Sequence, residues 1–273
     1  MWNLIKMDFY RLFTAKTVRI GAIVSCAVCV GYMLLSLGAI ELAKFATQTS
    51  PEALLGIEVL ISQVGWINGV DFATIVFGAT SVFALFIGCM ITASFVGSEQ
   101  SCSYAKNYAG RFSNKGYLAI SKFIVTSVAQ VAVLVIYVIM ASILAKLLFN
   151  SYIIGYDIDS LLLALGLRIL LHLAINSIIL FVCTLTKSHA IAMVVGCIFG
   201  IGVTKVAYFA IDIVLSTLKI DVSISQIMPD GINSVITVDS AGDMALKTIL
   251  SAVAFAVVFL VANCLVLRKR DVR

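Results

Sequence analysis

FIVTSVAQVAVLVIYVIMASILA, residues 123–145, runs for twenty-three residues without a charged side chain. About 20 apolar residues, each adding roughly 1.5 Å of helix, carry a chain across the hydrocarbon core of a bilayer. A barrel strand is shorter and alternates in polarity, whereas a helix satisfies every backbone group within itself, as a lipid-facing segment must. The stretch therefore predicts a membrane-spanning helix. Five further apolar runs, at residues 21–40, 72–96, 161–186, 190–211 and 248–267, extend that reading to an all-α membrane protein of six transmembrane helices in one domain, residues 1–273.

Composition agrees. The chain is 62% hydrophobic and 12% charged, against about 45–50% and 25% for a soluble domain. Six of its seven cysteines, Cys26, Cys29, Cys89, Cys183, Cys197 and Cys264, lie in apolar runs, and Cys102 alone lies in a polar loop. That distribution predicts reduced packing residues and not an extracellular disulfide framework. Cys26 and Cys29 have the spacing of a redox or metal motif but lack a second pair or a neighbouring histidine. The first run begins after Arg19 and exceeds the roughly 7–15 residues of a secretory signal core, so it is expected to stay as an anchor.

Orientation follows from the cations. One side carries Lys6, Arg11, Lys16, Arg19, Lys106, Arg111, Lys115, Lys122, Lys187, Arg268, Lys269, Arg270 and Arg273, thirteen in all, and the other carries only Lys44, Lys146, Lys219 and Lys247. The positive-inside rule puts the thirteen in the cytoplasm, with both ends inside, which implies a bacterial cytoplasmic membrane protein. Most acids fall on the other side, in agreement with this orientation. The net charge of +5 then belongs to the inner leaflet and favours anionic lipid over nucleic acid, for no basic patch is interleaved with exposed aromatics.

Four segments outside or within the spans invite a functional reading. Trp2, Ile5, Phe9, Leu12 and Phe13 recur at helical spacing beside Lys6 and Arg11, predicting an amphipathic interfacial helix before the first span. On the outer side, residues 41–71 predict a short interfacial helix near Trp66, and residues 213–247 carry a Pro229-Asp230-Gly231 turn between apolar patches that dip back toward the membrane as short helices. The segment from Glu99 to Lys115, leading to Lys122, mixes charge and aromatics over more than a minimal turn. It predicts either a solvated loop or a short cytoplasmic helix on which a partner pushes.

The basic amphipathic start, Glu99 after the second span, Lys106-Asn107 seven residues on, the Ser113-Asn114-Lys115 turn and Lys122 entering the third span resemble the permeases of ABC-2 type ATP-binding-cassette transporters. Within that family the short chain is most similar to permeases of bacitracin and lantibiotic self-protection. The sequence departs from the family pattern at Ser103 and at Gly110-Arg111-Phe112. The resemblance implies that the loop between spans two and three is a coupling helix, with Glu99, Tyr104, Lys106, Asn107, Arg111 and Lys115 meeting a separate cytosolic ATPase that binds ATP and magnesium. It also implies a second permease copy, identical or related, and a hydrophobic or amphipathic substrate such as an antimicrobial peptide, which this subunit exports.

This chain is expected to bind no cofactor of its own. It has no phosphate-loop motif, and Gly196, Gly200 and Gly202 lie inside an apolar run where they predict close helix packing. His172 and His189 lack zinc-protease spacing, so neither a catalytic site nor a metal site is expected. Ionisable groups within spans are costly and need a reason. Arg168, His172 and Asn176 recur every four residues as one polar stripe, and Lys205 and Asp212 share a face seven residues apart. Arg168, His172, Asn176 and Lys205 are candidate substrate-pathway residues. The alternative is that the two cations snorkel outward to Asp157, Asp159 or Asp212. A sensor or scaffold without transport is the rival reading for the whole chain, and an intramembrane enzyme is a second.

Overall fold

The computed structural model describes residues 2–49, 83–101, 116–148, 158–218, 223–238 and 240–269. Within them the chain forms helices α1 (Trp2–Thr14), α2 (Lys16–Thr49), α3 (Leu85–Ser101), α4 (Gly116–Leu148), α5 (Ile158–Thr186), α6 (His189–Ile201) and α7 (Val203–Thr217). A 3-10 turn at Ile224–Gln226 follows, then α8 (Pro229–Val235) and α9 (Ala241–Lys269), and no strand occurs among the described residues. Among the described residues three helices are long and apolar enough to cross a membrane: Gly116–Leu144, Ile158–Thr186 and Ala241–Lys269. Two bent helix pairs bring the number to as many as five by length and composition. The chain is therefore a helical membrane protein. Residues 72–82 of the expected second span lie outside the described residues, and α3 continues that run to Ser101.

Helix α5 is the centre. A helix that is apolar all round belongs in an interior, and α5 packs against α3, α4, α6, α8 and α9. Its small residues Ala164, Ala174, Ser177 and Cys183 are buried, which brings neighbouring backbones close. Helix α3 packs on α2, α4, α5 and α6, and the largest apolar cluster joins Leu85, Phe95 and Val96 of α3 to Val125 and Tyr137 of α4 and Ile175 and Ile179 of α5. Helix α9 lies on α5 with Phe259 edge-on to Phe181 at 5.5 Å. Its other side exposes Leu246, Leu250, Val257, Val258 and Val261, a surface for lipid.

The fifth expected span, residues 190–211, is not one straight helix. The chain bends by 66° between α6 and α7, at Gly202 with φ 81° and ψ 22°. Left-handed backbone costs an L residue about 1–2 kcal/mol and glycine almost nothing. Gly202 is thus a hinge, a correction to its expected role as a packing glycine. The expectation holds for the other two: a Cβ at Gly196 would sit 3.4 Å from the Cys89 carbonyl oxygen, and one at Gly200 only 2.6 Å from Cα of Phe86. Gly200→Ala should therefore force α6 away from α3 and lower stability by about 1–2 kcal/mol, the usual cost of overpacking, measurable as an earlier unfolding midpoint in detergent.

Two other expectations change. Pro229-Asp230-Gly231 opens helix α8 and is not a turn: Pro229 occupies the first helical turn, where its missing N–H costs nothing. The expected pair of short helices is present as the 3-10 turn and α8, and α8 packs onto α5 and α9 through buried Ile232. In α1, the predicted lipid-facing stripe is divided. Leu4, Asp8 and Leu12 are buried, and Ile5 and Phe9 pack against the core. Trp2, Tyr10 and Phe13 face outward. Residues 50–71 and 102–115, which include the outer interfacial segment and most of the expected coupling helix, lie outside the described residues.

Candidate functional site

Among the described residues three buried polar clusters join the helices, and the first lies at the root of the 102–115 segment. Glu99, two residues before the end of α3, accepts an ion pair from Lys122 Nζ at 3.0 Å and faces Arg11 Nη1 at 3.6 Å. Arg11 also approaches Asp8 at 3.7 Å and stacks its guanidinium 5.4 Å from the centroid of Phe95. Ser121 Oγ donates to Asp8 Oδ2 at 2.7 Å. Asp8, Glu99 and Lys122 are 2%, 2% and 5% exposed. Burial pushes the Asp8 carboxyl above the usual range, opposed by the Ser121 hydrogen bond and the two cations.

Ion pairs cost desolvation, and a buried set is justified by geometry that holds several elements in one register. Here α1, α3 and α4 meet in one knot. Glu99, expected to meet an ATPase, has its carboxylate turned inward, so its contribution is to fix the start of the loop. Tyr104, Lys106, Asn107, Arg111 and Lys115 lie outside the described residues.

The second cluster centres on Asn176, which is fully buried. Its Oδ1 accepts from Thr92 Oγ1 at 2.8 Å, and its Nδ2 donates to Thr126 Oγ1 and Ser127 Oγ, each at 3.0 Å. One amide thus joins α5 to α3 and α4. Thr126 also donates to the Lys122 carbonyl at 2.7 Å, one turn from the ion-pair knot. Two turns further along α5, Thr184 donates to Asn263 Oδ1 of α9 at 2.6 Å.

Sequence comparison finds no match to a protein family or to a curated protein.

The third cluster occupies the opposite half of α5. Arg168 is 3% exposed, and its Nη2 donates to the Ile236 carbonyl at 3.0 Å. Ile236 is the residue that ends α8, so the guanidinium caps that helix and pins it to α5. His172 is 1% exposed, and neither ring nitrogen finds a hydrogen-bond partner among the described residues. Asp230 of α8 is buried and accepts from Thr204 Oγ1 of α7, which ties the short helix to the far side of the Gly202 hinge. Lys205 is half-buried, folds over Gly202 with its Cδ 3.2 Å from where a Cβ would stand, and senses the Asp230 carboxylate. Asp212 accepts from the Ile224 and Ser225 amides and the Ser225 hydroxyl, capping the 3-10 turn.

The polar stripe of Arg168, His172 and Asn176 therefore faces inward along its whole length, but its members do different work. Asn176 is bonded to three side chains, Arg168 braces α8, and both ring nitrogens of His172 are without a hydrogen-bond partner among the described residues. Sequence reasoning missed Asp8, Ser121, Thr92, Thr126, Ser127 and the Thr204–Asp230 pair. Asp8 did carry a signal: it shares the i, i+4 spacing of Leu4 and Leu12, the inward face of α1.

Proposed function

We propose that this chain is the permease subunit of an ABC-2 type exporter, a six-span protein of a bacterial cytoplasmic membrane with both ends inside. A separate cytosolic ATPase hydrolyses ATP with magnesium, and a second permease copy completes the pathway. The substrate is hydrophobic or amphipathic, an antimicrobial peptide being the preferred class.

The observation that supports this reading most directly is the buried knot of Asp8, Arg11, Glu99 and Lys122 at the base of residues 102–115. A partner pressing on that segment would press on helices α3 and α4, which the knot holds to α1. Displacement passes into α1, α3 and α4 together, and the Asn176 hydrogen bonds carry it on to α5. Discrete contacts between packed helices transmit a push, whereas a loosely packed root would absorb it. At the far end of α5, Arg168 holds α8 and Asp230 links α8 to α7, so the same helix reaches the bent, outer-side elements. The unbonded His172 lies between these two connections, the position for contact with a polar group of substrate.

Affinity purification of the full chain from its host membrane should bring down a cytosolic ATPase with a phosphate loop. Replacing residues 102–115 by a glycine-serine linker of equal length should abolish that association while the chain still inserts. Retention of the ATPase by the linker variant would refute the coupling role. So would labelling of Cys102 by an impermeant thiol reagent in intact cells, which would put the segment outside.

A further inference from the structure

The turn from α1 into α2 forms a cleft that the transport reading leaves unused. Helix α1 ends at Thr14, Ala15 breaks the helix, and the chain re-enters helix at Lys16 with a bend of 55° between Trp2–Thr14 and Val18–Gly31. In the angle of this elbow lies a cavity of about 260 Å³ lined by Arg11, Thr14, Ala15, Phe95 and Ser98. Arg11 lies along one wall, held over the Phe95 ring. Arg19 returns from the first turns of α2 to donate from Nη2 to the carbonyl of Thr14, a lining residue, at 3.2 Å. The Ser98 hydroxyl, donating to the Phe95 carbonyl at 3.0 Å, retains its oxygen on the cleft wall. The two acids of this region, Asp8 and Glu99, are buried behind Arg11 and do not line the cavity.

We propose that this elbow cleft is a binding site for the phosphate headgroup of an anionic phospholipid. One guanidinium in the wall of a small cavity of mixed polar and apolar lining and a second bonded to the lining residue Thr14 suit a phosphodiester, because arginine presents paired donors in a plane suited to phosphate oxygens. A lipid is favoured over a free anion by the helix that leaves the elbow. Ile20, Ile23 and Val24 of α2 are 58%, 70% and 42% exposed, an apolar strip along which acyl chains can run from a headgroup held at the elbow. On α1, Trp2, Tyr10 and Phe13 are exposed, and such aromatics favour the level of the headgroups. The proposal needs only that α2 enters the membrane from this elbow, and it stands whether or not the chain transports anything.

The test is native mass spectrometry of the full chain released from mixed phosphatidylglycerol and phosphatidylcholine micelles with matched acyl chains. The parent should retain phosphatidylglycerol in clear preference. Arg19→Gln should cut that preference about five-fold, the scale of one cation at an anionic membrane surface. Ser98→Trp, which fills the cleft without altering charge, should cut it at least as much. Lys6→Gln, an exposed cation on α1 that does not line the cleft, should leave it unchanged. Equal retention of the two lipids would overturn the proposal. So would an equal loss with Lys6→Gln, the mark of diffuse surface charge, or displacement of the lipid by millimolar inorganic phosphate, the mark of a free-anion site.

Discussion

Lys122→Met is expected to destabilise the folded chain by about 3 kcal/mol, the lower end of the cost of stripping one partner from a buried ion pair. The substitution keeps the stem of the side chain but leaves the Glu99 carboxylate, 2% exposed, facing Arg11 at 3.6 Å as its one remaining cation among the described residues. It also leaves Asp8 beside Glu99 with one fewer cation to balance the two acids. The double variant Glu99→Gln with Lys122→Met removes both charges and should recover most of the loss, because a neutral pair of similar shape has no desolvation to offset. Unfolding midpoints in mixed micelles measure both. If the single variant unfolds like the parent, the knot is solvated and cannot be the rigid root of the loop. If the double variant is no better than the single one, packing and not charge pairing governs the site.

Asn176→Leu should cost about 2–4 kcal/mol, more than one interhelical hydrogen bond in a membrane protein, which averages about 0.6 kcal/mol. Three bonds are lost at once, and the Thr92 and Ser127 hydroxyls lose their amide partner in a buried setting, while Thr126 keeps its bond to the Lys122 carbonyl. The last of these effects adds the desolvation of stranded polar groups. Because the amide connects three helices, a further consequence is weakened coupling between them. On the proposed permease reading, a reconstituted complex of this chain with its partner ATPase should keep its basal ATPase rate while stimulation by substrate falls. Unchanged stability would mean that Asn176 is not the hub its geometry describes. A change in substrate preference without loss of stability would return Asn176 to the pathway.

Much of the architecture was legible because the bilayer limits the options. Residues 123–145 and 161–186 had to be helices once their length and apolarity were recognised, and they are α4 and α5. The inward stripe on α5 was legible for the same reason: Arg168, His172 and Asn176 share a face at a 3.6-residue period, and a costly polar face turns away from lipid. Less was legible where backbone conformation decides. Residues 190–211 are apolar throughout their first half, and hydropathy does not register the positive φ at Gly202 that breaks them into α6 and α7. The role of Pro229 was misread because proline suits both a turn and a first helical turn, and only the packing of Ile232 on α5 and α9 selects the helix.

Local chemistry thus determined which stretches leave water, that they do so as helices, and which side of α5 is polar, since each follows from burial of apolar surface and periodicity along one strand of chain. Tertiary structure alone decided partners. Asp8 and Ser121 are 113 residues apart, Thr92 and Asn176 are 84 apart, and Arg168 reaches a carbonyl 68 residues away. No spacing rule spans such separations, because which donor meets which acceptor depends on how whole helices settle against one another after their apolar faces are buried.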